Sequence, residues 1–226
     1  SKQLQNKIIK IVEQITTQSD TPTLFDPESP GWWRTQRELD EVIFELYDLS
    51  DPQKDLVRDL CQVTLEFFYR GSDSQAAKPP KAKQLEQYRN AFLELWNERL
   101  ALKGKELEVQ IFIPNNGVLC GMSFELKDLG AANINQLVTD NKQWQYWFCR
   151  LSKILRQEYS KRIYIDRAIK ELSDNSMFII KRAEQRLWTK SQARQDAQEF
   201  LTEVFKLEWL SRRGKFDELG ITESMD

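Results

Sequence analysis

Apolar residues fall at helical spacing from the start of the chain. Leu4, Ile8, Ile11, Val12 and Ile15 share one face of residues 2–18, which predicts an amphipathic helix. Pro22, Pro27 and Pro30 then predict a loop, ended by Trp32 and Trp33. Two adjacent tryptophans there read either as a plug over a neighbouring core or as a platform for a partner or ligand. Helical spacing resumes over 34–49 with Leu39, Val42, Ile43 and Leu46. Ser50, Pro52 and Gln53 supply an N-cap, a first-turn proline and the reciprocal capping side chain of a second helix. That helix runs to about Tyr69, carries Leu56, Leu60, Val63 and Phe67 or Phe68, and is closed by Gly71. The two segments predict a helical hairpin.

Residues 71–83 are polar and contain Pro79-Pro80, so they read as a linker. Its lysines are either a solvated spacer or an arm to phosphate. A further helix is predicted over 84–102 from Leu85, Tyr88, Phe92, Leu95 and Trp96. The period then changes to two. Leu107, Val109, Ile111 and Ile113 alternate with Glu106, Glu108 and Gln110, and Asn115-Asn116-Gly117 predicts a hairpin turn into a strand over 118–126. Strands are predicted again at about 162–170 and 176–181, with helices at about 141–158 and 189–211. Strands grouped in hairpins predict an α+β fold, with about four antiparallel strands packed against helices. The expected domains are a helical region 1–70, the linker 71–83 and an α+β domain 84–226.

Composition narrows the chemistry. The 226 residues are 40 % hydrophobic and contain no histidine, which removes Ser-His-Asp and Cys-His catalysis and every histidine metal site. No apolar run has the length of a membrane span, and the first residues lack the apolar core of a signal peptide. Cys61, Cys120 and Cys149 form no CxxC pair and have apolar neighbours, so buried reduced thiols in a cytoplasmic protein are expected. No glycine-rich phosphate loop is present. No cofactor, metal ligand set or catalytic group is expected.

The net charge of -2 hides a segregation. Residues 1–140 carry -6, residues 141–215 carry +8 and the tail carries -4. Arg150, Lys153 and Arg156 recur every three residues on the predicted helix 141–158, with Lys161 and Arg162 beyond it. Lys181, Arg182, Arg186, Lys190 and Arg194 cluster around Trp188, ahead of a helix start capped by Thr189 or Ser191. Such a start favours an anion, so these ten residues are candidate contacts to a nucleic-acid backbone, or simply the solvated faces of helices. Glu106 or Glu108 with Glu125-Leu126-Lys127 offers a second candidate, a Mg²⁺-dependent nuclease site. Its plainer reading is a cross-strand surface pair.

The stretch Glu38–Val57, ELDEVIFELYDLSDPQKDLV, resembles the helical end of the target-recognition region in type IIG-like adenine-specific restriction–modification methyltransferases. Leu39, Val42, Ile43, Leu46, Tyr47, Leu49 and Ser50 carry the likeness. The methyltransferase motifs are not in this chain. The resemblance implies an accessory piece of a bacterial DNA-processing or anti-phage defence assembly. On this view the acidic hairpin, near Trp32 and Trp33, docks a partner protein and the basic half meets DNA. A protein adaptor that ignores nucleic acid is the first alternative and the Mg²⁺ nuclease the second.

Overall fold

The structure is a computed structural model. It describes residues 2–17, 30–113, 118–132, 136–139, 149, 168–173 and 175–218, with the backbone alone for 15–17, 30–36, 136 and 208–218. The chain divides into two compact units, Ser1–Val57 and Arg58–Asp226.

The first unit pairs α1 (Lys2–Thr17) with α2 (Pro30–Leu46). Ile11 and Val42 from the predicted stripes are buried, and so is Phe44, which lies outside them, whereas Leu46 is exposed. The second helix starts at Pro30, so Trp32 and Trp33 lie in its first turn instead of on a loop, as proline in a first turn permits. Their side chains lie outside the described residues. The helix ends in a Schellman turn. The Leu49 N–H reaches back to the Phe44 carbonyl at 3.0 Å, and Asp48 takes the left-handed conformation at φ 51°. Ser50 then starts α3 (Asp51–Asp59), its N–H donating to Gln53 Oε1 at 2.8 Å and its carbonyl accepting from the Lys54 N–H at 2.9 Å. The reciprocal Gln53 half of the predicted cap is therefore formed. The boundary between the units falls within α3.

In the second unit a π-helical turn at Leu60–Thr64 joins α3 to α4 (Leu65–Arg70). Gly71 follows with φ 56°, a conformation that favours glycine. The polar stretch 71–83 is not a free linker. It forms two 3₁₀ turns with Ser74, Ala76 and Pro80 buried, and the Gln185 N–H donates to the Lys78 carbonyl at 2.9 Å. Its polar side chains mask a backbone that is paired internally.

α5 (Ala82–Ala101) leads into the sheet: β1 (Lys105–Phe112), β2 (Leu119–Asp128), β3 (Gln136–Val138), β4 (Ala168–Ser173) and β5 (Ser176–Arg182). A last helix, α6, spans Lys190–Glu218. The strand order is β3-β1-β2-β5-β4. The fold is α+β as expected, but the sheet has five strands, and β3 runs parallel to β1, so it is mixed. Ala168–Ser173 of the fourth strand pair with β5, Ala168 with Lys181 through Ser173 with Ser176, and residues 162–167 of the expected strand 162–170 lie outside the described residues. The turn Asn115–Gly117 and the predicted helix 141–158, apart from Cys149, lie outside the described residues.

One face of the sheet forms the core. Leu107, Val109, Ile111, Cys120, Met122, Phe124, Met177 and Ile179 pack against Leu85, Tyr88, Phe92 and Trp96 of α5 and Ala193, Ala197, Phe200 and Leu201 of α6. Phe92 stacks on Phe124 at 4.0 Å between ring centroids.

Candidate functional site

Two strands and two helices bring Lys170, Lys181, Tyr88 and Asp196 together. Residues 168, 170 and 172 of β4 point to the helix-covered face, and so does Lys181, which stands in register with Ala168. The Lys181 side chain is 3 % exposed and that of Asp196 is fully buried. The Lys181 ammonium donates to Asp196 Oδ2, to the Leu187 carbonyl at 3.1 Å and to Tyr88 Oη at 3.3 Å. Tyr88 Oη in turn donates to Asp196 Oδ2, and Lys170 reaches Asp196 Oδ1 at 2.6 Å and Glu199. Burial pushes the Lys181 pKa below its ordinary value, against the pull of Asp196. Burial would also lower Lys170, but its bonds to Asp196 and Glu199 outweigh it and hold that ammonium up. Burial and the Asp196 carboxylate together raise the Tyr88 phenol. Asp196 is thus a buried anion shared by two ammonium groups and a phenol.

Lys170, Lys181 and Asp196 line a groove of about 740 Å³, together with Arg186, Gln192 and Gln195. A second groove of about 410 Å³ continues along β4 and α6, past Leu172, Phe200, Glu203 and Leu207. Lys170 and Glu199 belong to both.

The predicted cationic cluster separates on folding. Arg150, Lys153, Arg156, Lys161 and Arg162 lie outside the described residues. Lys181 was expected on the surface, but its β5 position aims it into the core. Arg182 and Arg186 both hold Glu184, at 2.7 and 2.6 Å, and the Arg186 guanidinium lies 4.3 Å from the Phe67 ring centroid. Arg194 pairs with Glu94 at 3.2 Å. Lys190 is half-buried at the start of α6 and also has a partner. Thr189 caps that helix through the Gln192 N–H at 3.3 Å, and the Ser191 N–H donates to Asp59 at 3.0 Å. The anion at this helix start is the chain's own carboxylate. Trp188 is fully buried, donating to the Arg182 carbonyl at 3.0 Å.

The other candidate does assemble. Glu108 faces Glu125 across β1 and β2, and Lys127 bridges them at 3.3 and 3.2 Å. Glu106 instead accepts from the Ala132 N–H at 2.7 Å. Two carboxylates that share one ammonium form a cross-strand ion trio, and no group of three metal-ligating side chains occurs among the described residues. The thiols also differ from expectation. Cys120 is buried and its pKa is raised to about 12, whereas Cys61, on the π turn, and Cys149 are exposed. No helix among the described residues is long and apolar enough to cross a membrane.

The shared Asp196 was missed because a lysine in a strand and an aspartate in a helix look like solvated charges. Only the alternation of β5, which sets Lys181 among Met177 and Ile179, signalled an inward ammonium. Comparison with protein-family models, curated proteins and solved structures gives no match.

Proposed function

We propose that this chain is a non-catalytic accessory module of a bacterial DNA-processing or anti-phage defence assembly, and that its task is to hold a partner protein through the acidic corner of the first unit. The assembly context rests on the resemblance of Glu38–Val57. The docking role rests on one observation: large apolar side chains are exposed within a strongly acidic surface. Tyr47 is 71 % exposed and Leu56 60 %, with Leu46 and Val57 also outside the core. Residues 37–57 hold seven carboxylates against two cations. An apolar centre with a charged rim is the usual anatomy of a specific interface, and here the rim selects a basic partner. The Schellman turn at Asp48 and the cap at Ser50 fix the corner, so docking costs little ordering entropy.

Of the cations that would meet DNA, Lys181, Arg182, Arg186 and Arg194 are engaged with carboxylates. That favours the adaptor role over backbone contact by this part of the basic half.

Native purification from the source cells tests the reading. The tagged wild-type chain should retain a stoichiometric partner after nuclease treatment, and Tyr47→Arg/Leu56→Arg should lose it while keeping its helical circular dichroism. A wild-type chain that elutes alone, or a partner kept by the double variant, overturns the proposal.

A further inference from the structure

In the π turn between α3 and α4 the Leu65 N–H donates to the Leu60 carbonyl, five residues back. Such a turn takes up one residue more than an α-helical turn. With that residue counted out, Leu65, Phe68 and Tyr69 stand four, seven and eight places after Leu60, the spacing of one helix face. In an unbroken α-helix Leu65 would point about 140° away from Leu60. The π turn therefore lines up a single apolar stripe. Leu60, Leu65, Phe68 and Tyr69 are 50, 38, 77 and 65 % exposed. The other side of the same segment is held down, with Glu66 accepting from Ser74 Oγ and the Arg186 guanidinium lying over Phe67.

The character of the stripe decides what covers it. Glu66 is the one charged residue between Leu60 and Tyr69, and its carboxylate is bound to Ser74. A stripe without charge has nothing to select a basic or an acidic partner, but two copies of it meet without like-charge repulsion. It is also graded in size, with Leu60 at one end, Leu65 in the middle and two rings at the other. Two copies run antiparallel about an axis at Leu65 set the rings of each against the Leu60 end of the other, which is the reciprocity an isologous contact requires. The Phe68 and Tyr69 rings already pack edge to face at 5.2 Å, so contact orders little that is not ordered before it. At roughly 200 Å² for a whole aromatic side chain, these two expose about 280 Å². With both leucines, two copies bury on the order of 1,000 Å², the size of a weak, reversible interface.

We propose that a second copy of this chain packs on the stripe, as a weak symmetric dimer joined through antiparallel Leu60–Tyr69 segments. The stripe lies within the second unit and uses no residue of the acidic corner, so either proposal can fail alone.

Sedimentation velocity of the full chain, from about 5 to about 500 µM, tests it. The wild-type chain should pass from monomer to dimer within that range. Phe68→Ser, at the most exposed position of the stripe, should weaken association by about tenfold or more. Leu65→Glu and Leu65→Lys should each stay monomeric with wild-type circular dichroism, because like charges then face each other across the axis. An equal mixture of the two should dimerise again, as opposite charges meet there. Tyr47→Arg/Leu56→Arg should dimerise as wild type. A wild-type chain that is monomeric throughout, as when a different protein covers the stripe, would overturn the proposal. So would a dimer that Phe68→Ser or Leu65→Glu leaves intact, or a mixture of the charged variants that stays monomeric.

Discussion

Lys181 shows most clearly what single side chains contribute. Its ammonium has given up water for three bonds, and each partner is fixed by a different element. Lys181→Met leaves the fully buried Asp196 with one ammonium fewer, so it should destabilise the fold by about 3–5 kcal/mol in urea unfolding, and Lys181→Met/Asp196→Leu should recover much of that. A double variant no more stable than the single one would mean that the ion pair itself carries the packing. The titrations point the same way. Cys120 holds its proton to about 12 in the fold but loses it near 9 in the unfolded chain, so the unfolded state gains as pH rises through that window. Tyr88, raised from 10.0, adds a loss in the same sense above pH 10, and Lys170, raised from 10.5, above 10.5. Lys181, lowered from 10.5, works in the opposite sense as pH approaches 10.5 from below. Above pH 9 the thiol's own contribution approaches about 1.4 kcal/mol lost per pH unit. From pH 9 to 10 the urea midpoint of Cys120→Ala should therefore rise relative to that of the wild-type chain. In Ellman titration of the native chain two thiols should react promptly, Cys61 and Cys149, and the third only in denaturant.

Among the elements, those with a strong local period were legible. The alternation from Leu107 to Ile111 marks β1, and Ser50 with Gln53 marks the start of α3 to the residue. Elements whose determinants lie elsewhere in the chain were not. β3 is three residues, Gln-Leu-Val, and exists only because β1 offers an edge to pair with. β4 extends to Ser173, past the expected end at 170, because its register with β5 continues to Ser176. The 71–83 stretch is polar in side chain but anchored through carbonyls, which no composition reveals. The corner between α2 and α3 supplies a prediction at this scale. Asp48 sits at φ 51°, where a side chain costs about 1 kcal/mol unless it bonds locally. Asp48→Gly should raise the thermal stability of the helical hairpin by about 0.5–1 kcal/mol, whereas Asp48→Val should lower it by more. If both variants melt as wild type, the corner is not held in that conformation.

Over the whole molecule, charge is segregated by sequence more than by availability. The basic stretch carries eight excess positive charges, but folding spends several of them internally: Lys181 on Asp196, Arg182 and Arg186 on Glu184, Arg194 on Glu94. A segment-by-segment count cannot see this, because Glu94 and Arg194 stand a hundred residues apart and meet only once α5 and α6 share a sheet face. The consequence for nucleic acid is quantitative. A cation that meets phosphate releases counterions, so each contact adds close to one unit to the slope of log affinity against log salt. A guanidinium already held by a carboxylate must first give up that partner, which offsets most of the gain. Arg182→Glu/Arg186→Glu/Arg194→Glu should therefore change duplex affinity by less than about threefold between 50 and 200 mM salt and leave the slope intact. Anisotropy titrations with a labelled duplex would read both quantities. A loss of about tenfold, with a slope shallower by two or three units, would place phosphate on this face after all and return the basic half to a direct role on DNA.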